Sequence, residues 1–201
     1  MRYMSTTRLL VLGLVRWVQP VHGYDIRREL LSWGVADWAN VAPGSIYHAL
    51  KKLTNEGLLE AAEPEAVGRR PARTPYRITA AGEREFQDLL RKYWWDYKMP
   101  LDPFAAAWSF LPAMDPKEAA AALRSRARTL GAECDRWRSL AATLEVDPGT
   151  PPHVPELMRL WTARAEAEIA WCQSVAELAE QGKLHDWEGK RRRTSKASNQ
   201  I

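Results

Sequence analysis

The stretch Ala42-Pro-Gly-Ser-Ile-Tyr-His-Ala-Leu-Lys-Lys-Leu-Thr-Asn-Glu-Gly57 decides how the rest of the chain is read. Pro43 suits the start of a helix, where a missing N–H costs nothing. Ser45 is placed to cap the first turn, and Gly57 stands where a left-handed residue ends a helix. Ile46, Leu50 and Leu53 recur at four- and three-residue spacing, so they share one face and turn toward a core. The opposite face offers Ser45, Tyr47, His48, Lys51, Lys52 and Asn55. Hydroxyls, an aromatic ring, an amide and two cations on one face can touch base edges and phosphates together. Taken alone, the same pattern also describes a surface helix with a solvated side. The flanks separate the two readings.

Upstream, Leu9, Leu10, Leu12, Leu14 and Val15 lie all round a helical wheel within Thr6 to Val18, which predicts a mostly buried helix. Gln19-Pro20-Val21-His22-Gly23 reads as a turn. A second helix is expected from Tyr24 to about Trp33, with Ile26, Leu30 and Leu31 inward, Arg27, Arg28 and Glu29 outward, and Gly34 at its end. A short connection through Asp37 and Asn40 leads to the opening stretch. Three helices in a row, the last basic and polar on one side, are the layout of a helix-turn-helix.

Downstream, Leu58 to Glu63 is a short strand candidate, and Thr74-Pro-Tyr-Arg-Ile78 is β-prone with Tyr76 and Ile78 on one face. Between them, Pro64 to Arg73 forms the loop of a hairpin and carries Arg69, Arg70 and Arg73 near its tip. Arginines there can reach phosphates or a narrow minor groove. The plain alternative is a solvated Arg-Pro-rich loop. Thr79 is a good N-cap for a long helix, Ala80 to about Tyr97, with Phe86, Leu89, Leu90 and Tyr93 inward. Pro100 and Pro103 mark a junction.

Several blocks here resemble the PadR family of transcriptional regulators. They are Leu9–Val15, Gly23-Tyr-Asp-Ile26, Gly44-Ser-Ile-Tyr-His-Ala-Leu-Lys-Lys-Leu53, Glu56-Gly-Leu-Leu59 and Tyr76-Arg-Ile-Thr-Ala-Ala-Gly82, covering about the first half of the chain. The family usually carries proline where His48 stands, so no family contact is carried over to that residue. The resemblance implies a homodimer that represses transcription from a partly palindromic double-stranded DNA operator. It further implies release by a small molecule, often phenolic or otherwise aromatic, or by a cationic drug. A C-terminal helical region would build the dimer, and the length of this one is similar to the longer subgroup.

In the second half, Phe104, Ala105, Trp108 and Leu111 keep helical spacing, and Asp115-Pro116 opens a helix to about Val146. Within it Leu123, Leu130, Trp137 and Leu144 recur every seven, with Ala127, Cys134 and Ala141 between them, as in a coiled-coil seam. A last helix, Val154 to about Gln181, places Leu157, Trp161, Ala165, Cys172 and Ala179 on one face. Leu160, Ala167, Trp171 and Leu178 share an adjacent face. Two stripes suggest two partner surfaces, and the second is read as the other subunit. Packing within one subunit is the alternative. The dimer seam then draws on Leu123, Leu130, Trp137, Leu144, Trp161 and Trp171.

The chain holds 10 tryptophans. Trp94, Trp95 and Trp108 flank the junction and are candidate ligand-binding residues for a flat effector, against the reading that such rings fill core and seam. The overall expectation is a mainly α protein. Residues 1–98 form a winged helix-turn-helix with a β-hairpin wing, 99–186 a helical dimerisation and effector domain, and 187–201 a basic, disordered tail.

Charge follows the same division. Residues 1–98 hold 15 basic and 11 acidic side chains, 99–186 hold 9 and 13, and 187–201 hold 5 and 1. A polyanion-binding module joined to a part that does not touch the polyanion fits that asymmetry. Cys134 and Cys172 make no disulfide framework, and with His22, His48, His153 and His185 they show no metal-ligand spacing. They read as buried free thiols. Neither a cofactor nor a metal is expected. No run is long enough to cross a bilayer, and no secretory signal is visible, which makes the cytoplasm the expected location.

Other function classes fit the residues less well. A MarR-like regulator would need a dimer-forming helix before the winged helix, where only about five residues stand. An enzyme would need a phosphate loop, zinc spacing or a nucleophile motif, and Pro43-Gly-Ser-Ile-Tyr47 lacks the glycine after serine of a nucleophile elbow. A winged-helix protein-interaction module without specific DNA binding is the remaining alternative.

Overall fold

Val11, Leu12, Leu14 and Val15 are at most 2% exposed on α1 (Tyr3–Val18), the helix around which the N-terminal residues pack. The computed structural model describes residues 3–62 and 74–185, with side chains from residue 6 onward. The chain divides into two units, Met1–Met99 and Pro100–Ile201.

In the first unit, α2 (Gly23–Ser32) buries Ile26 and Leu30. α4 (Pro43–Asn55) buries Ile46, Leu50 and Leu53. These residues join the α1 side chains, Val21, Val35, Val41, Leu59 and Phe86 in one apolar core. Gly57 follows α4 with φ +71°, the left-handed conformation that glycine reaches without a Cβ clash.

Several local expectations are corrected. The turn after α1 contains a strand, β1 (Val21–His22), which pairs antiparallel with β3 (Pro75–Ile78). Two residues are too few to show a period, and tertiary pairing makes them a strand. The sheet has the order β1-β3-β2, with β2 at Leu59–Ala61. The connection after α2 holds a further helical turn, α3 (Val35–Trp38), between Gly34 at φ +69° and Asn40 at φ 51°. Ser45 does not cap α4. Its hydroxyl donates to the Ala42 carbonyl at 2.7 Å, and the capping position is Ala42 itself. α5 (Ala80–Trp95) starts at Thr79, whose hydroxyl accepts from Gly82 N–H at 3.0 Å, but it ends two residues before Tyr97. Tyr93 is 42% exposed rather than inward.

The second unit holds α6 (Pro103–Trp108), a 3₁₀ turn at Leu111–Ala113, α7 (Pro116–Val146) and α8 (Val154–Glu180). Asp102 and Asp115 cap α6 and α7 through their carboxylates, and Pro103 and Pro116 follow them. α7 and α8 pack on each other along their length. The tight row on α7 is Leu123, Ala127, Cys134 and Ala141, while Leu130, Trp137 and Leu144 are half-buried. Small residues let the two backbones approach, so their row carries the contact and the bulkier one flanks it.

On α8 the inward residues are Met158, Thr162, Ala165, Cys172, Ala176 and Ala179. Ala165, Cys172 and Ala179 are buried as their spacing predicts, while Leu157, expected inward, is 37% exposed because the stripe passes through Met158 and Thr162 at the start of the helix. Cys134 and Cys172 are free and buried. Burial pushes the Cys172 thiol up, and nearby Glu168 adds to the shift. Among the described residues no helix is long and apolar enough to cross a membrane, and no cluster of three metal-ligating side chains occurs.

Candidate nucleic-acid interface

The outer face of α4 is built by the burial of its inner one. With Ile46, Leu50 and Leu53 at most 1% exposed, Tyr47, His48, Lys51, Lys52 and Asn55 face solvent, and Ser45 is half-buried at the start. Ala42, Pro43 and Gly44, at the start of this helix, are exposed. The solvent exposure of this polar side agrees with the helical spacing, and what differs is how Ser45 spends its hydroxyl.

α2 contributes its own cations beside this face. Arg28 pairs with Asp25 at 3.0 Å, and its guanidinium lies 5.8 Å from the Tyr24 ring centre. Arg27 is half-buried. Gly23, the first residue of α2, brings the elements together. A Cβ placed there would lie 3.5 Å from both the Tyr47 and the Tyr76 rings, so α4 and β3 converge on this helix start. Tyr24 and Tyr76 were not among the site candidates. Arg77 was not either, yet it is exposed on β3. Their signal is three-dimensional, since α2, α4 and the sheet are neighbours only in the fold. Arg69, Arg70 and Arg73 lie outside the described residues, as does the basic tail.

Behind the face, Arg8 of α1 ties α4 to α5. Its Nε donates to Glu85 at 2.8 Å, and its Nη1 donates to Glu56 at the C-terminal end of α4. Burial opposes the charge on this guanidinium, but hydrogen bonds to the two carboxylates outweigh it and raise its pKa. The other Glu56 oxygen stands 3.9 Å from Lys52 Nζ.

Residues 11–88 match the transcriptional regulator PadR-like family. The chain carries a PadR-like domain. That match runs from the middle of α1 to the middle of α5 and includes every element of the polar face described above. No curated protein matches the chain by sequence. Solved structures resemble it beyond the PadR-like domain. Bacillus subtilis PadR in complex with operator DNA is 20% identical, with a TM-score of 0.69 over 86% of this chain and 98% of its own. The same protein in complex with p-coumaric acid is 19% identical, with a TM-score of 0.69 over 88% and 97%. The PadR-like regulator BC1756 from Bacillus cereus is 20% identical, with a TM-score of 0.60 over 88% and 99%. At these identities the likeness establishes a shared fold.

The aromatic candidates outside the polar face divide between the units. Trp94 and Trp95, 80% and 86% exposed at the end of α5, line an open apolar groove of about 320 Å³ with Leu90 and Arg91. Trp108 packs in the second unit, 5.0 Å from Trp171 and 6.0 Å from Phe104 between ring centres. Arg126 lies 4.1 Å from the Phe104 ring centre and pairs with Glu168 and Asp102. Of the dimer-seam candidates, Leu123 is 3% exposed and taken up in the core of its own unit, and Trp137 and Trp161 pack on each other at 5.9 Å. Trp171 keeps 39% exposure, beside Leu157, Leu160 and Leu178 at 36–44% on α8.

Proposed function

We propose that this chain is a sequence-specific DNA-binding repressor that works as a homodimer on a partly palindromic operator and is released by a small aromatic effector. The observation that carries the reading is the α4 face, polar and cationic outside and fully anchored inside, in a PadR-like domain. A helix held by three buried aliphatic residues can present side chains to a major groove without shifting. Lys51, Lys52, Arg27 and Arg28, with the wing arginines Arg69, Arg70 and Arg73, would meet phosphate. Ser45, Tyr47, His48 and Asn55 would meet base edges. The operator and p-coumaric acid complexes of the B. subtilis relative support both the DNA and the effector parts of the reading.

We place the second copy on the exposed residues Leu157, Leu160 and Leu178 of α8, which the packing on α7 leaves at 36–44% exposure, with Trp171 beside them already packed on Trp108 of its own unit. The effector would bind the Trp94–Trp95 groove and shift the population toward a spacing of α4 helices that misfits the operator.

Fluorescence anisotropy with the DNA upstream of the protein's own gene, beside a scrambled duplex and across a salt series, tests the reading. A preference for the upstream DNA with steep salt dependence is expected. Absence of binding to either duplex at low salt would end the DNA assignment.

A further inference from the structure

His48, Lys51 and Lys52 are all exposed, and spacings of three and four residues set them side by side on the outer face of α4. Lysine keeps its charge throughout the physiological pH range, whereas histidine changes its own within it. The carboxylates around this face are engaged with other groups. Of the elements packed on α4, α1 brings Arg8, which holds Glu56 and Glu85, and Arg16, which holds Glu83. α2 brings the Tyr24 phenol, Arg27, the Asp25–Arg28 pair and Glu29, which accepts from the Trp33 indole. β2 brings Glu60, opposite Arg77 in the sheet register. On α4 itself, Glu56 also pairs with Lys52 at 3.9 Å. Among the described residues, no hydrogen bond or ion pair involves the His48 side chain.

A positive charge on that imidazole stands beside two ammonium groups in the free protein and meets phosphate once DNA is bound. The cation also makes both ring nitrogens donors, and guanine presents acceptors, N7 and O6, in the major groove. We propose that His48 enters DNA as the imidazolium, so that each protomer takes up a proton on binding and affinity rises as pH falls. The proposal rests on the DNA-binding reading above and adds a regulation of the same face. The complex then holds more protons than its free partners, so lowering the pH drives its formation.

The test is fluorescence anisotropy with the full chain and a rhodamine-labelled mixed-sequence duplex long enough to span two half-sites. Affinity is followed across a salt series at pH values from about 8 to 6, the range over which histidine changes charge. Wild type, His48→Gln and His48→Arg are compared, and circular dichroism checks that each is folded at both ends of the range. Wild type is expected to bind roughly tenfold more tightly at the lower pH. Its slope of log K against log salt should steepen by about one per protomer. His48→Gln should bind with an affinity and a slope that do not follow pH. His48→Arg keeps its charge at every pH, so it should show the steeper slope throughout, and it carries the test if His48→Gln does not fold or does not bind. His22, His153 and His185 are common to all three proteins, so only the differences between them are assigned to His48.

A pH dependence that is equal in wild type and His48→Gln would overturn the proposal. So would wild-type binding that does not change with pH, or a His48→Arg that follows pH as wild type does. Wild-type protein that binds no duplex at low salt at any pH would overturn the DNA-binding reading itself, an outcome distinct from steeply salt-dependent binding that ignores pH.

Discussion

Gly82 sits where no side chain fits. A Cβ there would lie 2.0 Å from the Leu58 carbonyl oxygen and 2.8 Å from Ile78 Cγ1. The backbone of the turn after α4 cannot yield as a flexible side chain would. Gly82→Ala is therefore expected to destabilise the chain by about 1–3 kcal/mol or more, read as a lower midpoint in urea denaturation. A midpoint equal to wild type would mean that α5 can move off this turn at little cost. Lys52 supplies the functional counterpart. Lys52→Ala should lower affinity for every duplex and flatten the salt slope by about one. An unchanged slope would remove Lys52 from the phosphate contacts. The two residues differ in how they are read. Lys52 is visible from helical spacing alone, whereas nothing in Ala80-Ala-Gly82 shows that Leu58 lies against it.

Among the elements, α1 is joined to α5 by a bifurcated ion pair. Arg16 Nε donates to both Glu83 oxygens, at 2.8 and 2.9 Å. The hydrogen bond from Arg16 holds the Glu83 carboxyl below its ordinary value near 4.5. A depressed carboxyl adds stability that is present above that ordinary value and is lost as pH falls through the lower folded value. Thermal melting of wild type and Glu83→Gln across pH should show the variant lower at neutral pH and the two curves converging in acid. Parallel curves would mean that the pair adds no pH-dependent stability. The pair is partly exposed, so its contribution is small.

Element boundaries also show where sequence reading stops. The long helices were legible because Asp115-Pro116 and Thr79 mark their starts and apolar residues recur along them. β1, α3 and the start of the inner stripe of α8 were not, since each is set by a neighbour rather than by its own pattern. Leu157 and Met158 are equally apolar, and only the packing of α7 selects Met158.

For the whole molecule, the decisive expectation concerns the second copy. α8 is about 40 Å long and buries one stripe within its own unit, leaving Leu160 and Leu178 exposed on another. If that stripe is the dimer face, Leu160→Glu should shift sedimentation from dimer to monomer. It should also weaken binding to a two-half-site duplex far more than to a single half-site. A variant that remains dimeric would place the interface elsewhere.

By itself the sequence determined α1, α2 and α4, the polar and inner faces of α4, and the acidic, helical character of residues 99–186. Spacing and local capping specify these, because a face is a property of one helix and a charge needs no partner to be counted. Tertiary structure alone decided that Tyr47 and Tyr76 meet at Gly23, that Arg8 holds Glu56 and Glu85, and that Leu123 is spent inside its own unit. These are relations between residues as many as 77 positions apart. They exist only once burial of apolar side chains has brought the helices together.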